Sequence, residues 1–412
     1  MANGGHDFMR PEETIDNILR ILIIVDCYYP ATKSSAKLVH DLGLEFKSRG
    51  HDVIVLCPSD SIKNDFELSI EEGLQIARVR TGKIKGASRF KRALQEIGLS
   101  RKIWKKAGKY LSENPRDLIV FYSPSIFFGA LVRRLKALWH CKTFLVLRDI
   151  FPQWTVDAGV LRKGPIYYFF KRKELEQYAA ADVIGVQTPA NLKYFSENLS
   201  HKKYKLEVLY NWTTLHEPEV PSRDYRRQLG LSGKVIFFFG GNIGVAQDMD
   251  NILRLAKSLS NQPEIFFLLV GDGTEVSRLN SMIQREGLSN IKILPAVSQE
   301  DYLAMLAEAD VGLISLDSRL KTQNVPGKLM SYLYHFKPTL ASINADNDLR
   351  EIIESSESGF CLVNPDDEAL RTKALQMAGD KELRLRQGRN ARKLLEEKFS
   401  VNSAVNTILR HV

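Results

Sequence analysis

The chain has 412 residues, 44% of them hydrophobic, and a formal net charge of +9. That length and apolar content suit about two or three domains with cores of their own and exclude a disordered or fibrous chain. The charge is uneven: up to Tyr210 there are 34 Lys and Arg against 23 Asp and Glu, and beyond it 24 against 26.

The opening, "MANGGHDFMRPEETIDN", is polar and acidic where a signal peptide is basic and then apolar, so residues 1–17 read as a flexible extension. No later stretch reaches the roughly 18 apolar residues a spanning helix needs, and the expected location is the cytoplasm. From Ile18 the runs "ILRILIIVD", "HDVIVLCP", "LQIARVRT", "DLIVFYSP", "KTFLVLRD" and "DVIGVQT" alternate with helical patterns such as Ser34 to Arg49 and Ser125 to His140. Continuous Val/Ile/Leu strands with helical crossovers predict a parallel sheet covered on both faces.

Within this half, "KIKGASRFKRALQEIGLSRKIWKKAGKYL" interleaves Leu94, Ile97, Ile103 and Trp104 with cations. Two readings fit a helix of this pattern: a segment lying on an anionic membrane, or an amphipathic helix packed on its own domain. No nucleic-acid motif accompanies it, and no nucleic-acid partner is expected.

Prolines break the rhythm over residues 213–222, and a second series follows: "KVIFFFGG", "EIFFLLVGDG", "IKILPAVS", "ADVGLISLD", "KPTLASIN" and "GFCLVNPDD". The expected fold class is α/β, with two doubly wound Rossmann-like domains, 18–212 and 223–380, and final helices over 381–412 crossing back to the first. In such sheets ligands bind at the carboxyl ends of strands. Cys27, Cys57, Cys141 and Cys361 show no CxxC and sit in or beside apolar runs, so neither disulfide nor zinc is expected.

Three loops of the second series lie at those strand ends. "FFFGGNIG" puts Gly240, Gly241 and Gly244 after a buried strand, letting backbone N–H groups approach an anion. The spacing is GGxxG rather than the GxGxxG of dinucleotide folds, and the next strand run, "EIFFLLV", ends apolar before the glycine-flanked loop Gly271, Asp272 and Gly273, which argues against a dehydrogenase. In "QNVPGKLMSYLYHFKPTLA", Pro326 suits a first helical position, Gly327 allows close packing, and Lys328 adds a full charge to a helix mouth. Such an edge suits a diphosphate; the alternative is that Lys328 faces solvent.

The order "YYP", "LVHDLGLEFKSRGHDVIVL", "AADVIGVQTP", "VLYNW", "FFFGGNIG", "LLVGDG", "AEADVGLISL", "KLMSYLYHFKP" and "SESGFCLV" resembles glycosyltransferase family four, retaining enzymes of the two-domain GT-B type. "DCYYPATKSSAKLVHDL" with "RDIFPQW" and "NIGVAQ" is similar to bacterial O-antigen and capsule transferases that handle N-acetyl-L-fucosamine or related aminosugars. The resemblance implies a nucleotide-sugar donor, UDP-linked by analogy, with no other cofactor and no metal. It also implies a polyprenyl-diphosphate-linked sugar acceptor at the inner leaflet, an anionic surface the basic first half would suit.

Several positions depart from the family pattern. The usual arginine and lysine of the first glycine loop fall at Asn242 and at Gln247 or Asp248, and the two usual glutamates at Gln323 and Ser331. Lys328 is then the implied cation for the leaving diphosphate, with Arg319 or Lys321 as helpers, and Asn242 a hydrogen-bond donor to phosphate or sugar. Val297 joins the donor-site residues from the third strand end. Lys33, Ser34 and Ser35 replace the paired glycines expected after the first strand. Asp149, after Arg148, contacts donor sugar or acceptor, or else caps a helix. "DMD" at 248–250 imitates a metal site but opens a helix, where acids are favoured. Two other functions remain open: a sugar-nucleotide 2-epimerase, which needs no acceptor, and a non-catalytic nucleotide-sugar-binding partner.

Overall fold

The computed structural model describes residues 18–31, 34–81, 96–157, 160–216, 224–320, 325–345 and 347–412. The chain divides into two compact units: residues up to Phe144 with Phe151–Ala181, and Leu145–Ile150 with Asp182–Val412.

Strands Arg20–Ile24 (β1), Asp52–Ser59 (β2), Phe66–Glu71 (β3), Leu74–Arg80 (β4), Leu118–Tyr122 (β5), Lys142–Leu147 (β6), Val183–Val186 (β7) and Leu206–Val208 (β8) form one sheet, ordered β3-β4-β2-β1-β5-β6-β7-β8. β1 pairs parallel with β2 and β5, as its unbroken apolar run predicts. The sequence reading missed β3, which is antiparallel to β4. Its alternating "FELSIE" is half-buried, and the turn between the two strands is Glu72–Gly73 with φ of 47° and 80°, a two-residue hairpin. The helix expected over Ser125 to His140 begins at Gly129. A Cβ there would lie 2.8 Å from the Gln177 backbone, so glycine lets this helix press against Pro165–Tyr178.

The basic segment bears on the two readings of its helix. Helix Leu99–Glu113 buries Leu99, Ile103, Ala107 and Leu111, and the Arg134 guanidinium covers the Trp104 ring at 3.7 Å. Lys106 pairs with Asp65 at 2.6 Å. Over Leu99–Glu113 the apolar side therefore packs on its own domain, the second of the two readings, while Ile97 just before it is 40% exposed. Leu94 and the cations at 89–92 lie outside the described residues, as does Lys33.

The second sheet comprises Val235–Gly240 (β9), Ile265–Val270 (β10), Ile291–Leu294 (β11), Val311–Ser315 (β12), Thr339–Ile343 (β13) and Gly359–Val363 (β14), ordered β11-β10-β9-β12-β13-β14. Its five neighbouring pairs are all parallel. The order reverses between β9 and β12, which places the switch point, the usual ligand crevice, beyond Gly240 and Ser315. Helix Lys381–Lys398 packs its Ala391, Leu394 and Leu395 into this domain's core, and after Val401–Leu409 the His411 Nε2 reaches Glu207 Oε2 at 3.1 Å. The architecture is thus α/β with two parallel-sheet Rossmann-like domains.

Candidate functional site

β9 ends in Phe237, Phe238 and Phe239, all fully buried, and its chain then opens into glycines. Three strand-end loops are laced side by side there by backbone bonds. Gly241 N–H donates to Val270 O at 3.0 Å, Ile243 N–H to Asp272 O at 2.9 Å, and Gly271 N–H to Leu294 O at 3.0 Å. The glycines permit this approach: a Cβ on Gly271 would lie 1.8 Å from Gly241 O, and one on Gly273 2.1 Å from Ile243 O. Asp272 turns its carboxylate back to accept from Ala296 N–H at 3.3 Å, fixing the third loop.

Helix Gly327–Tyr334 enters from the other side of the switch point. It begins at Gly327, with Pro326 one position earlier than expected, as the cap residue. The fully buried Tyr332 hydroxyl lies 3.0 Å from Leu313 O and 3.3 Å from Phe238 O, and Gly240 N–H donates to it at 3.4 Å. It thereby joins the helix to both β9 and β12.

One turn earlier, the Lys328 ammonium lies 3.5 Å from the Phe239 ring centroid. Burial alone pulls its pKa from 10.5 down to about 7, with no carboxylate among the described residues offsetting it. A half-buried cation with no counter-anion among the described residues is what an anion site presents. Arg319, by contrast, is taken by Asp317 at 2.5 Å, and the guanidinium holds that carboxyl down at about 2. It therefore corrects the expectation of a helper cation; Lys321 and Gln323 lie outside the described residues.

These parts enclose a pocket of about 530 Å³ lined by Gly240, Gly241, Asn242, Val270, Gly271, Asp272, Ala296, Val297, Gln299, Tyr302, Gly327, Lys328 and Ser331. Sequence reasoning missed Tyr302 and Gln299. Tyr302 bonds Ser331 through its hydroxyl, whose pKa burial pushes up to about 12, and its ring fills the space a Cβ on Gly240 would need, at 2.2 Å. The available signal was Ser298, which caps helix Gln299–Glu308 right after the third strand-end loop.

Other expected site residues lie one layer back or elsewhere. Gln247 Oε1 accepts from Asn242 Nδ2 at 3.0 Å and from Gly244 N–H at 3.3 Å, so Gln247 and the buried Gly244 shape the loop rather than line the pocket. Gly273 serves the loop packing described above. The "DMD" acids go separate ways: Asp248 accepts from Asn364 Nδ2 at 2.8 Å, and Asp250 pairs with Arg278 at 2.8 Å. Among the described residues no His, Cys, Asp and Glu cluster suits a metal ion. In the other sheet, exposed Ser34 starts helix Ser34–Ser48, and Ser35 Oγ lies 3.2 Å from Cys27 Sγ. Asp149 is exposed just beyond β6, while Arg148 is committed to the Leu209 and Tyr210 carbonyls.

One helix mouth and one partly buried ammonium face here a space lined also by Val297 and Ala296. That combination suits a phosphorylated ligand with an apolar or planar part. Residues 221–394 match the family model described as glycosyl transferases group 1. This stretch, less than half of the chain, is similar to a glycosyl transferases group 1 domain. It carries every described residue of the pocket.

The chain is 26% identical over 263 residues to the putative colanic acid biosynthesis glycosyl transferase WcaI of Escherichia coli (strain K12), covering 61% of this chain and 63% of that one. It is 27% identical over 226 residues to the probable glycosyltransferase WbjE of Pseudomonas aeruginosa, covering 53% and 55%. The chain thus spans less than two thirds of the length of these relatives. Among solved structures, HepE of Anabaena in complex with UDP matches with a TM-score of 0.64 at 15% identity, over 95% of this chain and 98% of that one. That likeness is one of fold: two Rossmann-like domains, as in GT-B glycosyltransferase structures.

Proposed function

We propose that the chain is a retaining, metal-independent glycosyltransferase that holds a nucleoside diphosphate sugar in the pocket at the β9/β12 switch point. The observation that carries this reading is the Lys328 ammonium, desolvated against Phe239 with no anion of its own. Charge accumulates on the diphosphate as the glycosidic bond breaks, and a fixed cation stabilises that charge more than the ground state. The sugar C1–O bond breaks with its electron pair leaving on the diphosphate, an acceptor hydroxyl forms the new bond, and its proton passes to a phosphate oxygen. No protein nucleophile is needed.

The names of the relatives and the UDP held by the HepE structure support UDP as the nucleotide and surface-polysaccharide synthesis as the setting. Within that reading the donor sugar is an aminosugar such as N-acetyl-L-fucosamine, the acceptor is a lipid-linked sugar in O-antigen or capsule synthesis, and the enzyme works at the inner face of the membrane. Among the described residues no helix is long and apolar enough to cross a membrane.

The test is nucleoside diphosphate release from a panel of UDP and GDP sugars, with and without membrane extract carrying lipid-linked acceptors. Release that requires the extract is expected. Release from donor alone, with epimerised sugar recovered, would assign an isomerase; donor binding without turnover against a verified acceptor would assign a binding protein.

The lysine makes a second prediction about protons. At pH 8 the empty site, with its pKa of about 7, is mostly neutral, and a bound diphosphate restores the charge. UDP binding at pH 8 should therefore take up close to one proton, and affinity should fall as pH rises from 7 toward 9. Calorimetry in two buffers of different ionisation heat reads this directly; binding that exchanges no proton would remove Lys328 from the diphosphate.

A further inference from the structure

Helix Pro165–Tyr178 belongs to the first unit and opens with "PIYYFF". Its inner face is settled by Tyr167 and Phe170, both buried, with the Phe170 ring 5.2 Å from that of Phe151 and 6.4 Å from that of Phe127. The core takes nothing more from these two turns. Yet the outer face is apolar as well: Ile166 is 47% exposed, Tyr168 63% and Phe169 39%, and Val160 just before the helix is 70% exposed. An outward helix face in a soluble protein is normally polar, so a clustered apolar one asks for an occupant.

Charge indicates which occupant. From Val160 to Lys173 the sequence "VLRKGPIYYFFKRK" holds five cations and no acid. Lys171 is spent on the buried Glu174 at 2.5 Å, and Arg172 and Lys173 reach Glu176 at 3.3 and 2.8 Å. Arg162 and Lys163 are exposed beside the apolar cluster. Two copies of this chain meeting face to face would set these cations against each other, whereas an anionic bilayer accepts both the cations and the interfacial tyrosine and phenylalanine.

The geometry points to the outer face of residues 160–172 as the surface that seats this chain on an anionic lipid bilayer, with Ile166, Tyr168 and Phe169 entering the headgroup boundary and Arg162 and Lys163 meeting lipid phosphates. This deepens the membrane part of the proposed function and rests on it. The basic helix Leu99–Glu113, whose apolar side is core, is not the anchor.

Flotation with vesicles of phosphatidylethanolamine and phosphatidylglycerol, free of any sugar acceptor, tests docking by itself. The full chain should float with these vesicles, less so in high salt, and bind phosphatidylcholine vesicles weakly. The variant Ile166→Ser/Tyr168→Ser/Phe169→Ser should lose about tenfold or more of vesicle affinity, and Arg162→Ser/Lys163→Ser should lose the preference for phosphatidylglycerol. Unchanged UDP binding in the same preparations verifies folding; should the triple variant misfold, Tyr168→Ser alone should still lower affinity several-fold. Wild-type-like flotation of the folded variants overturns the proposal, as does a dimer in sedimentation that the triple variant abolishes, which would give this face to a second copy. Sugar transfer that persists without vesicle binding would overturn the anchor and leave the transferase reading standing.

Discussion

Lys328→Met is expected to lower donor-dependent turnover about a hundredfold while making the protein more stable at pH 6. Methionine matches the lysine stem in length and keeps the contact with Phe239, so packing changes little. What disappears is a preorganised charge at the leaving group, worth about 3 kcal/mol in comparable sites. The stability change runs the other way. The folded-state pKa is lowered from 10.5 to about 7, so below pH 7 the native protein bears the full cost of a desolvated ammonium, and that cost shrinks as pH rises from 7 toward 10.5. The methionine variant therefore gains most at pH 6 and less at pH 9. Thermal unfolding at both pH values, beside turnover, separates the two effects: a variant that lost activity and stability together would make Lys328 a folding residue.

Gly271→Ala should abolish nucleotide binding although it adds one methyl group. The added carbon would sit 1.8 Å from Gly241 O and 2.9 Å from Gly241 C, backbone atoms that have no rotamer to change, at a φ of +156°. The first two loops must part, breaking the Gly241–Val270 and Gly271–Leu294 hydrogen bonds that align them. Strain and lost bonds together amount to about 2–4 kcal/mol. Gly379→Ala, away from the pocket, is the control, because nothing lies within 4 Å of a Cβ there; its effect on stability should stay within about 0.5 kcal/mol. UDP calorimetry on both variants decides the matter, and near-normal affinity for Gly271→Ala would show that the loops need not touch.

Much of this site could be read from sequence because strand-end glycines after "VIFFF" and "IFFLLV" have a narrow physical meaning: the backbone must come close to something. Gly241 and Gly271 line the pocket for that reason, while Asn242 and Ser331, which line it too, were expected from the family resemblance. Tyr302 escaped because an aromatic one turn into an amphipathic helix looks like core, and only three-dimensional packing turns its hydroxyl toward Ser331. Gln247 was misplaced because loop spacing does not reveal whether an amide faces a ligand or closes its own turn. The basic helix shows a further limit. Periodicity establishes that Ile103 and Leu111 share a face, but whether that face meets a domain or a membrane depends on the residues folded against it. Arg148, adjacent to a position of chemical interest, proved to serve the carbonyls of a neighbouring segment.

Tyr332 ties two strands and a helix to one hydroxyl, and a Cβ on Gly312 would lie 2.3 Å from its ring. One side of the pocket is therefore fixed to the sheet, while Val297 and Gln299 line it from a separate loop and the start of another helix. Ligand preference can drift through substitutions there without the chain having to solve its folding problem again.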